Sequence, residues 1–366
     1  MAPLSASSHS RHECREHPNT QESVILADPV SDTKLGDPFP PLTGRPHAPH
    51  FTAHDHQLTP SCRSSYNAAM RDHAHPILLG GKPLVPGSGP FIFGILNVTP
   101  DSFSDAGRFM TPAAAVDAGC RMADEGADAI DVGGESTRPG STFVSPDEQI
   151  RRTGPVIEEL TRRLTGTDAP AISIDTRLAS VARAALDAGA TIVNDISALH
   201  DPEMGPLIAA RGAGVILMHM KGTPANMQAD PIYVDVVEEI RSFLQQRMAT
   251  ALAAGIPADR IILDPGIGFG KTTSHNLMII RNLHRFVDLG APTLVGPSRK
   301  RFIGEVLRLP SPTDRLHGTL ATVAACVLAG VECVRVHDVA AARQVADLSA
   351  AIHRAGASLH SSKTQV

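Results

Sequence analysis

Tryptophan is absent and tyrosine nearly so: the 366 residues include no Trp, 2 Tyr and 11 Phe. That scarcity argues against single-stranded nucleic-acid recognition on aromatic stacking platforms. An excess of positive charge is also missing. With 33 Lys+Arg against 38 Asp+Glu the formal net charge is −5. Non-specific binding to DNA or to an anionic lipid surface needs a cationic face, which this balance does not favour. Long apolar runs are lacking. The best candidate, Thr319–Val331, is too short to span a bilayer and ends at Glu332. Five cysteines form no CxxC pair. An odd count without that spacing excludes a disulfide framework or a Cys-type zinc site and fits a reducing cytoplasm. A GxGxxG fingerprint is absent too. The run Gly266-Ile267-Gly268-Phe269-Gly270-Lys271 superficially resembles a phosphate loop, but it lacks the spacing and the Ser/Thr of a Walker A motif.

What is present divides into two unequal regions near residue 85. Residues 1–85 hold 9 of the 17 His and 11 of the 29 Pro, many Ser, and no sustained apolar periodicity. Such a segment buries too little apolar surface to offset its ordering entropy, so it is expected to be a largely disordered extension. It lacks the charged-then-apolar order of a secretory signal, and Glu13, Glu16 and Glu22 set it apart from an acid-poor transit peptide. The pairs His54/His56 and His73/His75 have metal-ligand character, although a solvated His-rich tail is the plainer reading. Met70, just before the regular region, is a candidate start.

From about Phe91 to Ala355, short β-rich runs alternate with longer Ala/Leu-rich helical stretches. The pattern predicts strands at Phe91–Leu96, Ala129–Val132, Ala171–Ile174, Thr191–Val193, Gly214–Met218, Ile261–Leu263, Thr293–Val295 and Cys333–Val336. Helices are expected between most of them, with Pro112 and Pro146 in first turns and Gly126, Gly189, Gly255 and Gly330 at stops. Eight strands in βα alternation match an α/β protein of the (β/α)8 barrel type over residues 86–366, a doubly wound open sheet being the alternative.

Nearly every predicted strand runs into a polar or Gly-bearing cluster directly after its last apolar residue. The clusters begin at Asn97, Gly133, Asp175, Asn194, His219, Asp264 and Gly296, and the last strand contributes Arg335 and His337. Singly, each has a bland explanation as a cap, a tight turn, a structural histidine or a surface ion pair. In a barrel, however, all these ends converge on one mouth, where such folds do chemistry. Carboxylates and an amide from strands 3, 4 and 6 suit a flat heterocycle rich in N–H donors, because a carboxylate accepts two parallel N–H bonds from an amino-pyrimidinone edge. Lys300, Arg335 and His337 form a cationic flank suited to phosphate.

The stretch from Gly94 to Asp105, GILNVTPDSFSD, resembles the first signature of the dihydropteroate synthase family, and Gly133 to Gly140, GGESTRPG, resembles the second. Ile174-Asp175-Thr176, Asn194-Asp195, Met218-His219, Asp264-Pro265-Gly266, Ser298-Arg299-Lys300 and Arg335-Val336-His337 are similar to later family blocks in matching order. The resemblance covers about residues 90–355 and implies a pterin-binding barrel. The implied enzyme is a transferase joining 6-hydroxymethyl-7,8-dihydropterin diphosphate to 4-aminobenzoate in folate synthesis, with release of diphosphate. It implies that Asp175, Asn194, Asp264 and Lys300 hold the pterin. Asn97, Thr137, Arg138, Arg335 and His337 would contact diphosphate, with Asn97 beside Mg²⁺. Phe103, Asp105, Thr137, Pro139 and Ser298 would complete the 4-aminobenzoate site. Asp105, Asp264 and Lys300 are the implied catalytic residues, and loops 98–110 and 134–145 are expected to close over the reacting centre. A cytoplasmic homodimer, sulfonamide-sensitive chemistry and no nucleic-acid or membrane partner are implied as well. Ala106 stands where the family usually has Gly, and Ile267 where it commonly has an aromatic; neither removes a functional side chain. A methyltetrahydrofolate–corrinoid methyltransferase on the same barrel, or a non-catalytic pterin-binding paralogue, are the competing readings.

Overall fold

Alternation of side chains along a strand, with period two, decides which residues enter the interior of a closed sheet. The computed structural model describes residues 90–99, 111–137 and 140–361, together with the backbone of two short strands, β1 (Ile77–Leu79) and β2 (Lys82–Leu84). Those two pair antiparallel as a hairpin inside the segment read as a disordered extension, so that reading does not hold for 77–84. The His pairs, Met70 and the rest of residues 1–76 lie outside the described residues.

Eight parallel strands follow: β3 (Phe91–Asn97), β4 (Ala129–Gly133), β5 (Ala171–Asp175), β6 (Ile192–Asp195), β7 (Gly214–Met218), β8 (Ile261–Asp264), β9 (Leu294–Val295) and β10 (Cys333–Val336). They are bonded in the order β8-β7-β6-β5-β4-β3-β10-β9. A parallel bridge between Leu263 and Thr293 closes the ring, with Leu263 N–H donating to Pro292 O at 2.9 Å. The expected barrel is therefore formed, and the open doubly wound sheet is not. Around it lie α1 (Pro112–Asp124), α2 (Pro146–Arg163), α3 (Ala179–Asp187), α4 (Met204–Arg211), α5 (Val236–Ala253), α6 (Thr273–Arg281), α7 (His284–Val287), α8 (Arg301–Leu307), α9 (Leu316–Leu328) and α10 (Val339–Ser361). Pro112 and Pro146 do open helices. Each follows a hydroxyl cap: Thr111 Oγ1 accepts from Ala114 N at 3.2 Å and Ser145 Oγ from Glu148 N at 3.3 Å. Among the described residues no helix is long and apolar enough to cross a membrane.

The alternation yields two apolar layers. Outward residues such as Ile92, Ile130, Ile174, Val193, Leu217, Leu263 and Val334 pack under the helices. Inward residues Phe91, Phe93, Ala129, Ala171, Ile192, Ile216, Ile262, Leu294 and Cys333 form a separate buried plug at the N-terminal end of the barrel. Two residues further along, the inward positions of β4, β5, β6, β8 and β10 become polar, whereas β3 and β7 keep Ile95 and Met218. Several strands also run one or two residues past their predicted apolar ends. Asp175 pairs in register with Asn194, Met218 with Asp264, and Asn97 with Gly133. The polar groups thus stand on the ladder itself, where their backbone is fixed.

Phe93 is fully buried in the plug. Phe93→Ala should lower unfolding free energy by about 3–5 kcal/mol, measured by urea denaturation; a loss below about 1 kcal/mol would contradict a close-packed interior there.

Candidate active site

The polar cluster above the plug is built from inward residues of β4, β5, β6, β8 and β10. Asp131 of β4 is buried; its Oδ1 accepts from Ser173 Oγ of β5 at 2.7 Å and its Oδ2 from Asn194 Nδ2 of β6 at 3.0 Å. Arg335 of β10 reaches across the barrel between two carboxylates. Its Nη1 lies 3.6 Å from Asp131 Oδ2 and its Nη2 3.4 Å from Asp264 Oδ2. Asp264 also accepts from Gly266 N–H at 2.7 Å. Gly266 permits that turn: its φ is +69°, and a Cβ would fall 1.9 Å from His219 O.

Electrostatics follow from burial. Burial pushes the Asp264 carboxyl up, against the pull of Arg335 and the Gly266 N–H. Burial opposes the Arg335 charge, but Asp131, Asp264 and Asp175 more than offset this and its pKa is raised. Asp175 is pushed up to about 8, first by burial and then by repulsion from Asp131. Three buried atoms of this cluster have no hydrogen-bond partner: Asp175 Oδ1, Asn194 Oδ1 and Arg335 Nη1. The Asn194 assignment is forced, because the amide end facing the Asp131 carboxylate must be the donor. The mouth therefore presents an unmet acceptor on Asn194, a carboxyl on Asp175 whose free oxygen has no partner, and an Arg335 N–H that is ion-paired with Asp131 but makes no hydrogen bond.

The other expected residues that the structure describes lie at the ends of the strands and on the loops that follow them. Asn97 ends β3 and Asp175 ends β5, with Gly133 between them. A Cβ on Gly133 would stand 3.4 Å from Asn97 Oδ1 and 4.0 Å from Asp175 Oδ2. Lys300 lies across the loop after β8, with Nζ 4.0 Å from the centre of the Phe269 ring. Ser298 Oγ and His337 Nδ1 are 2.9 Å apart, and His337 N–H donates to the same Oγ at 3.2 Å. Thr137 is half-buried on the loop after β4. That loop is pinned at its base. Glu135 Oε1 accepts from Val144 N at 3.1 Å, and Gln149 Nε2 donates to Val144 O at 2.9 Å. Further along, Gly140 N–H reaches Pro224 O, in the loop after β7, at 3.3 Å. Phe103, Asp105, Arg138 and Pro139 lie outside the described residues, as does most of loop 98–110.

Two strand-end residues take the bland role. Asp195 closes a turn, accepting from Ser197 N at 2.8 Å and Leu199 N at 2.7 Å. His219 is buried and held neutral, its pKa pushed down to about 2 by burial and then by Lys271. Lys271 is itself buried. Its Nζ donates to Phe269 O at 2.9 Å and meets His219 Nδ1 at 3.0 Å, which braces the loop carrying Phe269. Asp131 and Ser173 were not singled out from sequence. The signal was available: a carboxylate between Ile130 and Val132 in an otherwise apolar strand.

Asp175 gives a pH test. Its folded-state pKa exceeds the value of about 3.9 expected when unfolded, so the native state retains a proton that the unfolded chain releases. Its contribution is complete below that unfolded value and is lost as pH rises through about 8. The melting temperature of wild type should fall relative to that of Asp175→Asn between pH 4 and 8. Parallel melting curves across that range would contradict it.

The geometry can be set beside known proteins. Residues 93–337 match the family model described as pterin binding enzyme. The chain is 45% identical over 287 residues to a dihydropteroate synthase of Synechocystis, covering 78% of this chain and 98% of that one. It is 44% identical over 270 residues to the Bacillus subtilis dihydropteroate synthase, covering 74% and 90%. A solved Xanthomonas albilineans dihydropteroate synthase with 4-aminobenzoic acid is 43% identical with a TM-score of 0.70, covering 76% of this chain and 97% of that one. Another structure of the Xanthomonas albilineans enzyme, in complex with 7,8-dihydropteroate, gives 40% identity and a TM-score of 0.65 over 73% and 95%. On this evidence the chain belongs to the pterin-binding enzyme family and, within it, to the dihydropteroate synthases.

Proposed function

We propose that the barrel mouth condenses 6-hydroxymethyl-7,8-dihydropterin diphosphate with 4-aminobenzoate. The observation that carries this reading is the set of unmet groups on Asp175, Asn194 and Arg335. An amino-pyrimidinone edge has N–H donors for the two acceptors and a carbonyl oxygen for the guanidinium. Asp264 takes the remaining donors at that edge, and Lys300 closes the pocket from the Phe269 side. Each charge-assisted hydrogen bond contributes roughly 1.5–3 kcal/mol.

The reaction breaks the bond between the pterin methylene and the diphosphate oxygen, and the electron pair leaves with diphosphate. The methylene is then cationic and conjugated with the ring. Asp131, Asp175 and Asp264 surround the ring with acidic groups that stabilise developing positive charge. The arylamine nitrogen attacks, forms the new C–N bond and loses one proton, so no nucleophile of the protein is needed. Thr137, Arg138, Arg335 and His337 hold diphosphate in this scheme; Phe103, Asp105, Pro139 and Ser298 seat the arylamine. The link from Arg335 to Asp264 places it where it can serve the ring and the leaving group together. Loop 134–145, anchored through Glu135 and touching Pro224 at Gly140, is suited to exclude water from the cation.

Among the described residues no group of three or more His, Cys, Asp or Glu side chains could hold a metal. A Mg²⁺ ion carried mainly by diphosphate and water nevertheless fits a single amide oxygen, and Asn97 Oδ1 lies at the mouth beside Gly133. When bound, Mg²⁺ would neutralise charge on the leaving diphosphate. We further propose a cytoplasmic homodimer. Leu277, Met278, Val306, Leu307, Leu328 and Leu348 are exposed on α6, α8, α9 and α10, which pack successively against one another on one side of the barrel. The free thiols Cys120, Cys326 and Cys333 suit a reducing compartment.

Purified full-length protein, given both substrates and Mg²⁺, should release diphosphate and form 7,8-dihydropteroate. Absence of product would contradict the proposal. Asp264→Asn should weaken pterin binding roughly ten- to hundredfold, the scale of a lost charged hydrogen bond, measured by calorimetry; unchanged affinity would remove Asp264 from the ring site. Asp105→Ala should impair turnover far more than pterin-diphosphate binding. Light scattering should report twice the 38.6 kDa chain mass, and a monomer would refute the dimer.

A further inference from the structure

Arg299 stands between Ser298 and Lys300, and its own contacts point away from the pterin cluster. It is a non-glycine residue with φ +56°, a left-handed conformation that L side chains rarely adopt. Three separate contacts hold it there. Its N–H donates to Thr319 Oγ1 of α9 at 2.9 Å. Its carbonyl accepts from Arg315 Nη1 at 3.1 Å. Its guanidinium forms a two-pronged bond with Asp338, Nη2 to Oδ1 at 2.7 Å and Nε to Oδ2 at 3.1 Å.

Asp338 directly follows His337, so the fork ties the loop after β9 to the loop after β10. Beside it, Ser298 Oγ meets His337 Nδ1 at 2.9 Å, a second tie between the same two loops. On its other side the chain turns into Lys300, whose ammonium rests over Phe269. An exposed ion pair contributes little, but this pair is half-buried, bidentate and joins residues far apart in sequence.

We propose that Arg299 is a positioning residue. Its fork with Asp338 fixes the β9 and β10 loops in one register, so that Ser298 and His337 present their polar atoms to substrate together, while Lys300 is held separately over Phe269. The chain's left-handed turn at Arg299 lets the residues on either side serve the site while the arginine braces it from behind. The inference rests on the assignment of Ser298 to the 4-aminobenzoate site made above.

The test compares full-length wild type with Asp338→Asn, Arg299→Gly, Arg299→Lys and the double variant Arg299→Gly/Asp338→Asn. Glycine keeps the left-handed turn without steric cost and removes the whole side chain, guanidinium included. Lysine keeps the charge and lacks the fork. KM for 4-aminobenzoate should rise at least about tenfold in each single variant, Arg299→Lys included, the scale of a lost supporting contact. The dissociation constant for 6-hydroxymethylpterin should stay within about twofold, because Asp175, Asn194 and Asp264 stand on β5, β6 and β8 and Arg335 is fixed on the β10 ladder by Asp131 and Asp264. The double variant should be no worse than the worse single, since both remove one interaction. Effects that multiply, an equal loss of pterin affinity, or a KM within about twofold of wild type would each overturn the proposal. The ¹⁵N shift of His337 Nδ1 supplies a readout independent of turnover. It should move in Asp338→Asn and Arg299→Gly even if wild type forms no dihydropteroate. In that case the functional reading fails and the clamp stands; an unmoved shift overturns the clamp.

Discussion

The guanidinium of Arg335, held between Asp131 and Asp264 inside the barrel, is the interaction on which the rest of the site depends. Three carboxylates within one low-dielectric mouth repel one another, and burial makes each charge more costly. One arginine from β10 offsets part of this. The offset is incomplete, as the raised pKa of Asp175 records. A buried polar network that is only partly satisfied is a poor way to stabilise a fold. It is a good way to hold a ligand whose donors and acceptor complete it, and that is the physical basis for reading the mouth as a ring pocket.

The barrel makes such a cluster tolerable by dividing labour along each strand. The inward plug of Phe93, Ile192, Ile216, Ile262 and Leu294 and the outward layer beneath the helices supply the apolar burial. The unmet polar groups of the site, on Asp175, Asn194 and Arg335, lie at the C-terminal ends of the strands. Because Asp131, Ser173, Asn194, Asp264 and Arg335 stand on the ladder, their placement is fixed by backbone bonds rather than by loops. The loops around them are braced separately: Lys271 bonds Phe269 O, Gln149 and Glu135 hold the base of the loop after β4, and Arg299 grips Asp338.

Much of this was legible in the chain. The strands were readable because β-rich apolar runs alternate with capped helices, and Gly214–Met218 and Cys333–Val336 appear with the predicted bounds. The site was readable because polar residues recur at strand ends. Less legible was what depends on facing direction or on distant partners. Asp131 sits within a strand, and its significance comes from the inward turn of its side chain toward Arg335. The contacts Arg335 makes with the acidic ring, and His337 with Ser298, link residues far apart in sequence and are not marked by any local pattern. The fork between Arg299 and Asp338 spans 39 positions, and no local pattern announces it. The hairpin at 77–84 is marked only by Gly80-Gly81 between two short runs, a turn signal lost in the polar composition around it.

The central claim is that the mouth is a preformed acceptor and donor set for an amino-pyrimidinone edge. The most direct measurement is calorimetric binding of 6-hydroxymethylpterin beside its analogue lacking the 2-amino group. The account predicts roughly ten- to hundredfold weaker binding of the analogue, because a buried carboxylate would be left without its donor. Equal affinity for the two rings would contradict it.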